Sequence, residues 1–569
     1  MTLSSASPEP ATRRARRAAI AIGTFVTLAT IVVLQFASFH HHYNVHNEKH
    51  RILRSLQSST QSLRLHFKVK RDSMAVHGLS EFDVLANPVL STNDDGTQSA
   101  SFDGVASFAV GNVLHTYTLV NSVAYYTSET TSADGLSQKT TSCLPADTVP
   151  PINDILSSIN AADSVGAVQS EETIACASNS LYKLSFAGDS FILCSTTGTA
   201  TSGFKIYGSD LDIEVTYLST PVVIVAPALS EDATLACEQI SSGVAVSTST
   251  VKLLTGAGQD YVNRVFFRTS TAVEESVATL ASSSCSCKGT KRPCIFFHGV
   301  DHKGEGELAD EFADQFGEIQ KHAPCCSSVK FAMLDTFNYG WNSDSLQQKM
   351  CDIVLKASNS SNVAAKTVEN TIIVAHSMGN MMLGGAIATG KCTLGATSSW
   401  VALSGPMRGS MGSDLVQTVC AGGNLGLDIV KAVVSLFGQC PASNGRASIA
   451  YEGEKYMTPA LQLQYDAMQA AYKKYTTAAM CSNSFIGLLS LDQLTLIFGG
   501  TLIPHKSKEN DGVVEYGSCV ADLDESKFGN KYTSRFYKPK LNHLDTSFRH
   551  GDALFNNAQK PVKWFECLL

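Results

Sequence analysis

Ser377 stands where a strand pattern runs into a helix pattern. Residues 371–380 read TIIVAHSMGN, and the small-residue segment MMLGGAIATG follows. Strand, tight turn, serine and helix in that order present a hydroxyl at the tip of a sharp turn, the nucleophile-elbow arrangement. Such a turn is strained, and bulky Cβ groups two residues before or after the serine would collide across it. Ala375 and Gly379 fill those places, with alanine where glycine is usual. The chemistry is nucleophilic attack on a carbonyl, and a helix N-terminus behind the serine favours the negative charge that develops. Other clusters are weaker. His40, His41, His42, His46 and His50 are compatible with a metal tract, but read better as a stalk. Cys285, Cys287, Cys294, Cys325 and Cys326 lack the usual zinc spacing and read as disulfide partners. Asn359-Ser360-Ser361 is a sequon, so Asn359 is a candidate glycosylation site.

The elements that must position Ser377 are legible on both sides of it. Residues 372–375 (IIVA) are a continuous apolar run, as a strand buried on both faces should be. Upstream, Ile295 to Phe297 form a short apolar strand ending in His298-Gly299. Leu308, Phe312, Phe316 and Ile319 recur at helical spacing within 303–319. Val329 to Leu334 read as another strand. Residues 343–358 read as an amphipathic helix with Leu346, Met350, Ile353 and Val354 inward, capped by Ser343 or Asp344. A further strand runs through Ser398 to Pro406. Alternating strands and helices give a doubly wound pattern, with active sites at the carboxyl ends of strands. His298-Gly299, Asp335 and Ser377 fall there.

The HG pair and the elbow together resemble the α/β-hydrolase fold, and more narrowly the lipases and esterases with an HG oxyanion loop. The resemblance covers residues 290–569. It implies a mainly parallel sheet with helices on both faces, and oxyanion donors at the backbone N–H groups of Val300 and Met378. Asn510-Asp511-Gly512-Val513-Val514, with Ser518 beyond, resembles the acid loop of several lipases. Leu541-Asn542-His543-Leu544-Asp545 resembles their histidine loop. The resemblance therefore implies Ser377 as nucleophile, His543 as general base and Asp511 as its orienting acid. His505 and His550 are reserve bases, and Asp428 and Asp492 reserve acids. His298 and His376 read as loop-shaping residues. Residues 407–500 have the position and apolar composition of a cap or lid; a helical insertion completing the core is the alternative. Cys392, Cys420, Cys440 and Cys481 are candidates to pin it. No cofactor is required. Some lipases of this type bind calcium near the histidine loop, where Asp545 and Asp552 are candidate ligands.

The chain of 569 residues carries a net charge of -8, which offers no basic field for nucleic acid. Residues 1–17 form a basic tail with Arg13, Arg14, Arg16 and Arg17. Ala18 to Phe39 is uncharged and long enough for a transmembrane signal anchor, with a cleaved signal peptide as runner-up. A stalk occupies 40–84. Residues 85–275 carry short β-rich runs and read as an accessory β domain, expected as two packed sheets, that binds a protein or carbohydrate or serves as a spacer. Residues 276–292 read as a linker before the domain at 293–569. All 16 cysteines follow the anchor, which suits a type II membrane protein with its bulk lumenal or extracellular. The expected function is hydrolysis of a lipid or other hydrophobic ester. The alternatives are a membrane-anchored recognition protein with a vestigial hydrolase core, or a serine amidase, peptidase or thioesterase.

Overall fold

Two sheets of different character carry the chain. The computed structural model describes residues 61–569 except 94, 133–134, 171–173, 175, 177–180, 197–202, 231–236, 241–242, 256–276, 281–282, 423–439 and 491. The basic tail, the Ala18–Phe39 span, Asp428 and most of the stalk lie outside the described residues.

The first sheet is antiparallel and twelve-stranded. Leu63–Val69 lies in its middle, between Glu81–Thr92 and Leu211–Tyr217. On one side, Glu81–Thr92, Gln98–Val110, Val113–Val120, Val123–Thr131 and Ser137–Leu144 follow as a meander; on the other, Leu211–Tyr217, Gly203–Gly208, Asp189–Thr196 and Leu181–Phe186 follow in order. Tight hairpins join neighbouring strands on both sides. Asn121-Ser122 and Ala187-Gly188 both hold positive φ at two consecutive residues, the conformation that matches strand twist in two-residue loops. Alternation buries one face: Phe204, Ile206, Leu211, Ile213 and Val215 are all under 5% exposed. The Ile152–Asn160 helix packs on that face through Ile159, and Phe555 joins it from the C-terminal part of the chain.

The second sheet is wholly parallel and seven-stranded. Its spatial order is Cys326–Ala332, Arg292–Phe297, Ile372–His376, Ser399–Leu403, Thr476–Met480, Phe536–Tyr537 and Phe528–Gly529. Period-two alternation splits its core. Ile295, Phe297, Ile373 and Ala375 face the Asp344–Lys356, Met378–Ala388 and Pro459–Tyr475 helices. Cys294, Phe296, Ile372 and Val374 face Phe316 and the C-terminal Pro561–Leu568 helix.

The expected architecture is thereby corrected. An α/β-hydrolase core preceded by a β-rich domain is not what is found, and the expected transmembrane helix lies outside the described residues. The largest element is the antiparallel sheet, and the parallel sheet, with two-residue strands at one edge, does not identify that core. No described helix is long and apolar enough to cross a membrane. Elbow and HG motifs are local signals that state how a turn is built, not which fold carries it. Three smaller expectations also change. The β region is one large sheet rather than two packed ones, and it begins within the expected stalk, at Leu63. The helix expected across 303–319 is only Ala313–Phe316 followed by a 3-10 turn at Ile319–His322. Within the expected cap, Pro459–Tyr475 and Thr476–Met480 are core helix and sheet strand, with Tyr465 and Tyr472 fully buried.

Residues Ser62–Leu569 form one unit. Ion pairs join the C-terminal Pro561–Leu568 helix to the antiparallel-sheet region: Lys563 meets Asp210 at 2.9 Å and Arg71 pairs with Glu566, both buried, and Lys560 at the helix cap meets the half-buried Asp189 at 3.0 Å. Eight disulfides use every cysteine: 143–237, 176–194, 285–567, 287–325, 294–326, 351–392, 420–440 and 481–519. Such complete pairing belongs to an oxidising compartment, so the protein is secreted or extracellular.

Candidate active site

The elbow is built as its residues require. The Ile372–His376 strand is fully buried and ends at Ser377, whose φ of 53° lies in the left-handed region that side chains rarely adopt. The Met378–Ala388 helix begins directly after it. A strained turn persists only where its surroundings fix it, and Asn380 does much of the fixing. Its side-chain amide donates to the carbonyls of Ala375, Ser377 and Leu403 at 2.9, 3.2 and 3.0 Å, and its oxygen accepts from the Trp400 indole at 3.1 Å. Gly379 lets the HG loop close in: a Cβ there would lie 2.8 Å from the His298 carbonyl oxygen.

The structure brings Ser377, His543 and Asp511 together from three separate loops. The Ser377 hydroxyl donates to His543 Nε2 at 2.9 Å, and His543 Nδ1–H donates to Asp511 Oδ2 at 2.8 Å. The His543 backbone N–H also donates to the Asp511 carbonyl at 2.8 Å, locking the two loops in register. The other carboxylate oxygen of Asp511 accepts N–H groups of Val513 and Val514 at 3.0 and 2.7 Å. Burial pushes the Asp511 carboxyl up, but the His543 charge and hydrogen bond and the two N–H groups outweigh it and leave it below the usual range. A serine, an imidazole and an ionised carboxylate in line can activate the hydroxyl and stabilise the imidazolium that forms.

The other histidines are committed elsewhere. His376 is buried, which drives its pKa down to about 3, and its neutral ring donates from Nε2 to the His543 carbonyl at 3.0 Å. It therefore supports the histidine loop. His298 is lowered to about 4 by burial; Nδ1 donates to the Gly299 carbonyl at 2.8 Å and Nε2 accepts the Leu334 N–H at 3.2 Å. His505 pairs with Glu515 at 2.8 Å, away from the serine. For His550, burial opposes the charge, but hydrogen bonds to Asp492 and Asp545 win and raise it to about 9. Neither reserve base nor Asp492 reaches Ser377.

The HG loop lies against the nucleophile. A Cβ on Gly299 would stand 2.8 Å from Ser377 Cβ and 3.1 Å from its hydroxyl. Thr336 holds this loop by donating to the Gly299 carbonyl at 2.8 Å and accepting the His302 N–H at 3.1 Å. Val300 follows Gly299, and Met378 is the first residue of the helix, whose N–H has no intrahelical partner. Asp335 instead closes its own turn through Asn338. Sequence reading missed Thr336 and Asn380. Thr336 bonds to loop residues more than thirty positions away, and Asn380 reaches Leu403 and Trp400 as well as its own turn; a single threonine or asparagine carries no signal for such distant partners.

Asp545 and Asp552 do not make the expected calcium pair. Asp545 accepts Leu488 N–H at 2.7 Å and His550 at 2.7 Å, whereas Asp552 accepts Val562 N–H at 2.8 Å and the Ser73 hydroxyl at 2.9 Å. Their oxygens are spent on different protein donors, so they do not fit a shared cation. Asn359 is exposed in a turn after the Asp344–Lys356 helix.

No family model matches the chain, and no curated protein matches it. Among solved structures, the crystal structure of LprF from Mycobacterium bovis is similar over 32% of this chain and 98% of that chain, with 15% identity and a TM-score of 0.15. Likeness at that level carries no argument about fold or activity.

Proposed function

We propose that the protein is a serine hydrolase of carboxylic esters. One observation carries this reading: the unbroken hydrogen-bond chain Ser377–His543–Asp511, at 2.9 and 2.8 Å, on a positive-φ elbow. Ser377 Oγ attacks the ester carbonyl while His543 Nε2 takes its proton. The backbone N–H groups of Met378 and Val300 stabilise the oxyanion. His543 returns the proton to the leaving alcohol, and the acyl group remains on Ser377. Water, deprotonated by the same imidazole, then releases the acid. Asp511 holds the imidazole with Nδ1 protonated throughout.

The substrate proposed is a lipid or other hydrophobic ester. Two apolar helices border the acid loop. Ser410, capping the Met411–Cys420 helix, donates to the Val513 carbonyl at 2.6 Å. The Gln493–Leu502 helix touches the loop so closely that a Cβ on Gly499 would lie 2.4 Å from the Gly512 carbonyl oxygen. Leu415, Val416 and Ile503 cluster between them. Asn359, exposed on a turn, is the proposed glycan site.

Turnover of p-nitrophenyl esters of graded acyl length, by wild type and by folded Ser377→Ala, tests the reading. Hydrolysis that rises with chain length and disappears in the variant is expected. Equal turnover by both proteins would remove Ser377 from the chemistry, and cleavage of anilides but not esters would replace the ester reading with an amidase.

A further inference from the structure

The buried face of the antiparallel sheet does not fill itself. Along the Gln98–Val110 strand, the residues that alternate inward are Phe102, Gly104, Ala106 and Phe108. Gly104 sits opposite Ala86, so small residues meet across two neighbouring strands. A cavity of about 260 Å³ remains there, between the sheet and the Ile152–Asn160 helix. Its walls are almost entirely hydrocarbon. The Tyr117 hydroxyl, one of the few polar groups on the lining, is already bonded to His77 at 2.7 Å. Leu489, Leu554 and Phe555, from segments flanking the His543 loop, close it from the other side.

The cavity's lining crosses eight adjacent strands, from Gly203–Gly208 to Ser137–Leu144. At roughly 4.8 Å per strand that is on the order of 30 Å of curved surface. An apolar cavity of about 150 Å³ already stays dry and takes up benzene. This one is larger and equally apolar, which suits a hydrocarbon chain.

A second cavity, of about 560 Å³, adjoins it and shares Val76, Val149, Leu489, Leu554 and Phe555. Here polar groups join the apolar wall, Asp154, Lys531, His550 and Asn557 among them. The Asn557 amide nitrogen donates to the Ala187 carbonyl at 2.8 Å, but its oxygen is buried with no partner among the described residues. A buried acceptor left without a donor is costly, on the order of 1–3 kcal/mol. A hydroxyl or ammonium group at the mouth would satisfy it once the Asn557 side chain turns toward the cavity it lines.

We propose that the two cavities form one lipid-binding site, taking a single linear acyl chain in the apolar cavity and its polar head at the mouth beside Asn557. The site is separate from Ser377 and does not depend on the ester-hydrolase reading.

Binding of cis-parinaric acid to the full chain carrying Ser377→Ala, stripped of lipid beforehand, tests this. The fluorescence should rise to saturation at one equivalent. Gly104→Phe should weaken the binding at least tenfold without lowering the melting temperature. A Cβ at Gly104 meets only the Leu85 carbonyl oxygen, at 3.6 Å, so the ring enters empty space. Ala106→Leu serves the same purpose if the phenylalanine variant fails to fold. Displacement by stearate would identify a free fatty acid, and displacement by a lysophospholipid alone a larger head. Absence of saturable binding, or equal affinity in the folded filled variants and the parent, would overturn the proposal.

Discussion

The Ser377 hydroxyl and the Asp511 carboxylate both reach a single imidazole, at 2.9 and 2.8 Å, so the three side chains serve one step. Ser377→Ala and His543→Ala should each lower kcat by on the order of 10⁴-fold or more, and the double variant should be no worse than either single one. Steady-state kinetics on a short p-nitrophenyl ester checks this; multiplying losses would mean that the two residues act separately. Asp511→Asn should cost about 10⁴-fold, the scale of the handicap that a wrong histidine tautomer imposes in trypsin. These residues were legible because each sits in a short pattern: a strand run into a serine, NDG before an apolar pair, and NH within LNHLD. Asn380 was not. Its bonds reach Leu403 and Trp400, 23 and 20 residues away in sequence, and only folding brings them close. Asn380→Ala should take a donor from the buried Ala375 carbonyl and leave the Leu403 carbonyl with the Ser377 N–H alone. An expected cost of about 1–3 kcal/mol should appear in chemical denaturation; an unchanged midpoint would deny Asn380 its bracing role.

At the level of elements, the close approach of the HG loop to the elbow is the feature most exposed to test. Gly299→Ala would place a methyl group 2.8 Å from Ser377 Cβ. The chain should still fold, but the loop must retreat, and with it the Val300 N–H. The expected result is a fall in kcat with little change in KM, since the oxyanion donor acts mainly in the transition state; unaltered kcat would place the donor elsewhere. The strands and helices around Ser377 were visible from periodicity, and the Asp344–Lys356 helix buries the expected Leu346, Met350 and Val354. The helix expected over 303–319 shrank to Ala313–Phe316. Gly304 and Gly317 adopt positive φ there, which a helix cannot include. The Pro459–Tyr475 helix was misplaced in a cap because a buried helix and an apolar lid carry the same composition. Likewise, period-two alternation tells which face of a strand is buried but not which strand is its neighbour. One broad sheet therefore looked like two.

For the whole molecule, buried histidines set a window of stability. His376, lowered to about 3, and His77 and His298, lowered to about 4, are neutral when folded. Their contribution is present above the unfolded pKa near 6.5 and is lost as pH falls toward 3–4. His550 has the opposite sign. Raised to about 9, it stabilises fully below 6.5 and loses that contribution as pH rises through 9. Melting temperature should therefore decline on both sides of a neutral plateau, and His550→Gln should remove the pH dependence on the alkaline side; an unchanged alkaline limb would exclude His550 as its source. Disulfides bind the same unit together, including Cys285–Cys567, which ties the start of the parallel-sheet region to the C-terminal helix. Each is worth roughly 2–4 kcal/mol, so reductant should lower the melting temperature markedly. The central claim is that Ser377 is an activated nucleophile. Its most direct test is to label the intact, purified protein with a fluorophosphonate and locate the adduct by peptide mass spectrometry. A single adduct on Ser377, absent in His543→Ala and in heat-denatured protein, is expected; a folded wild type that stays unlabelled, or carries the adduct on another residue, would contradict it.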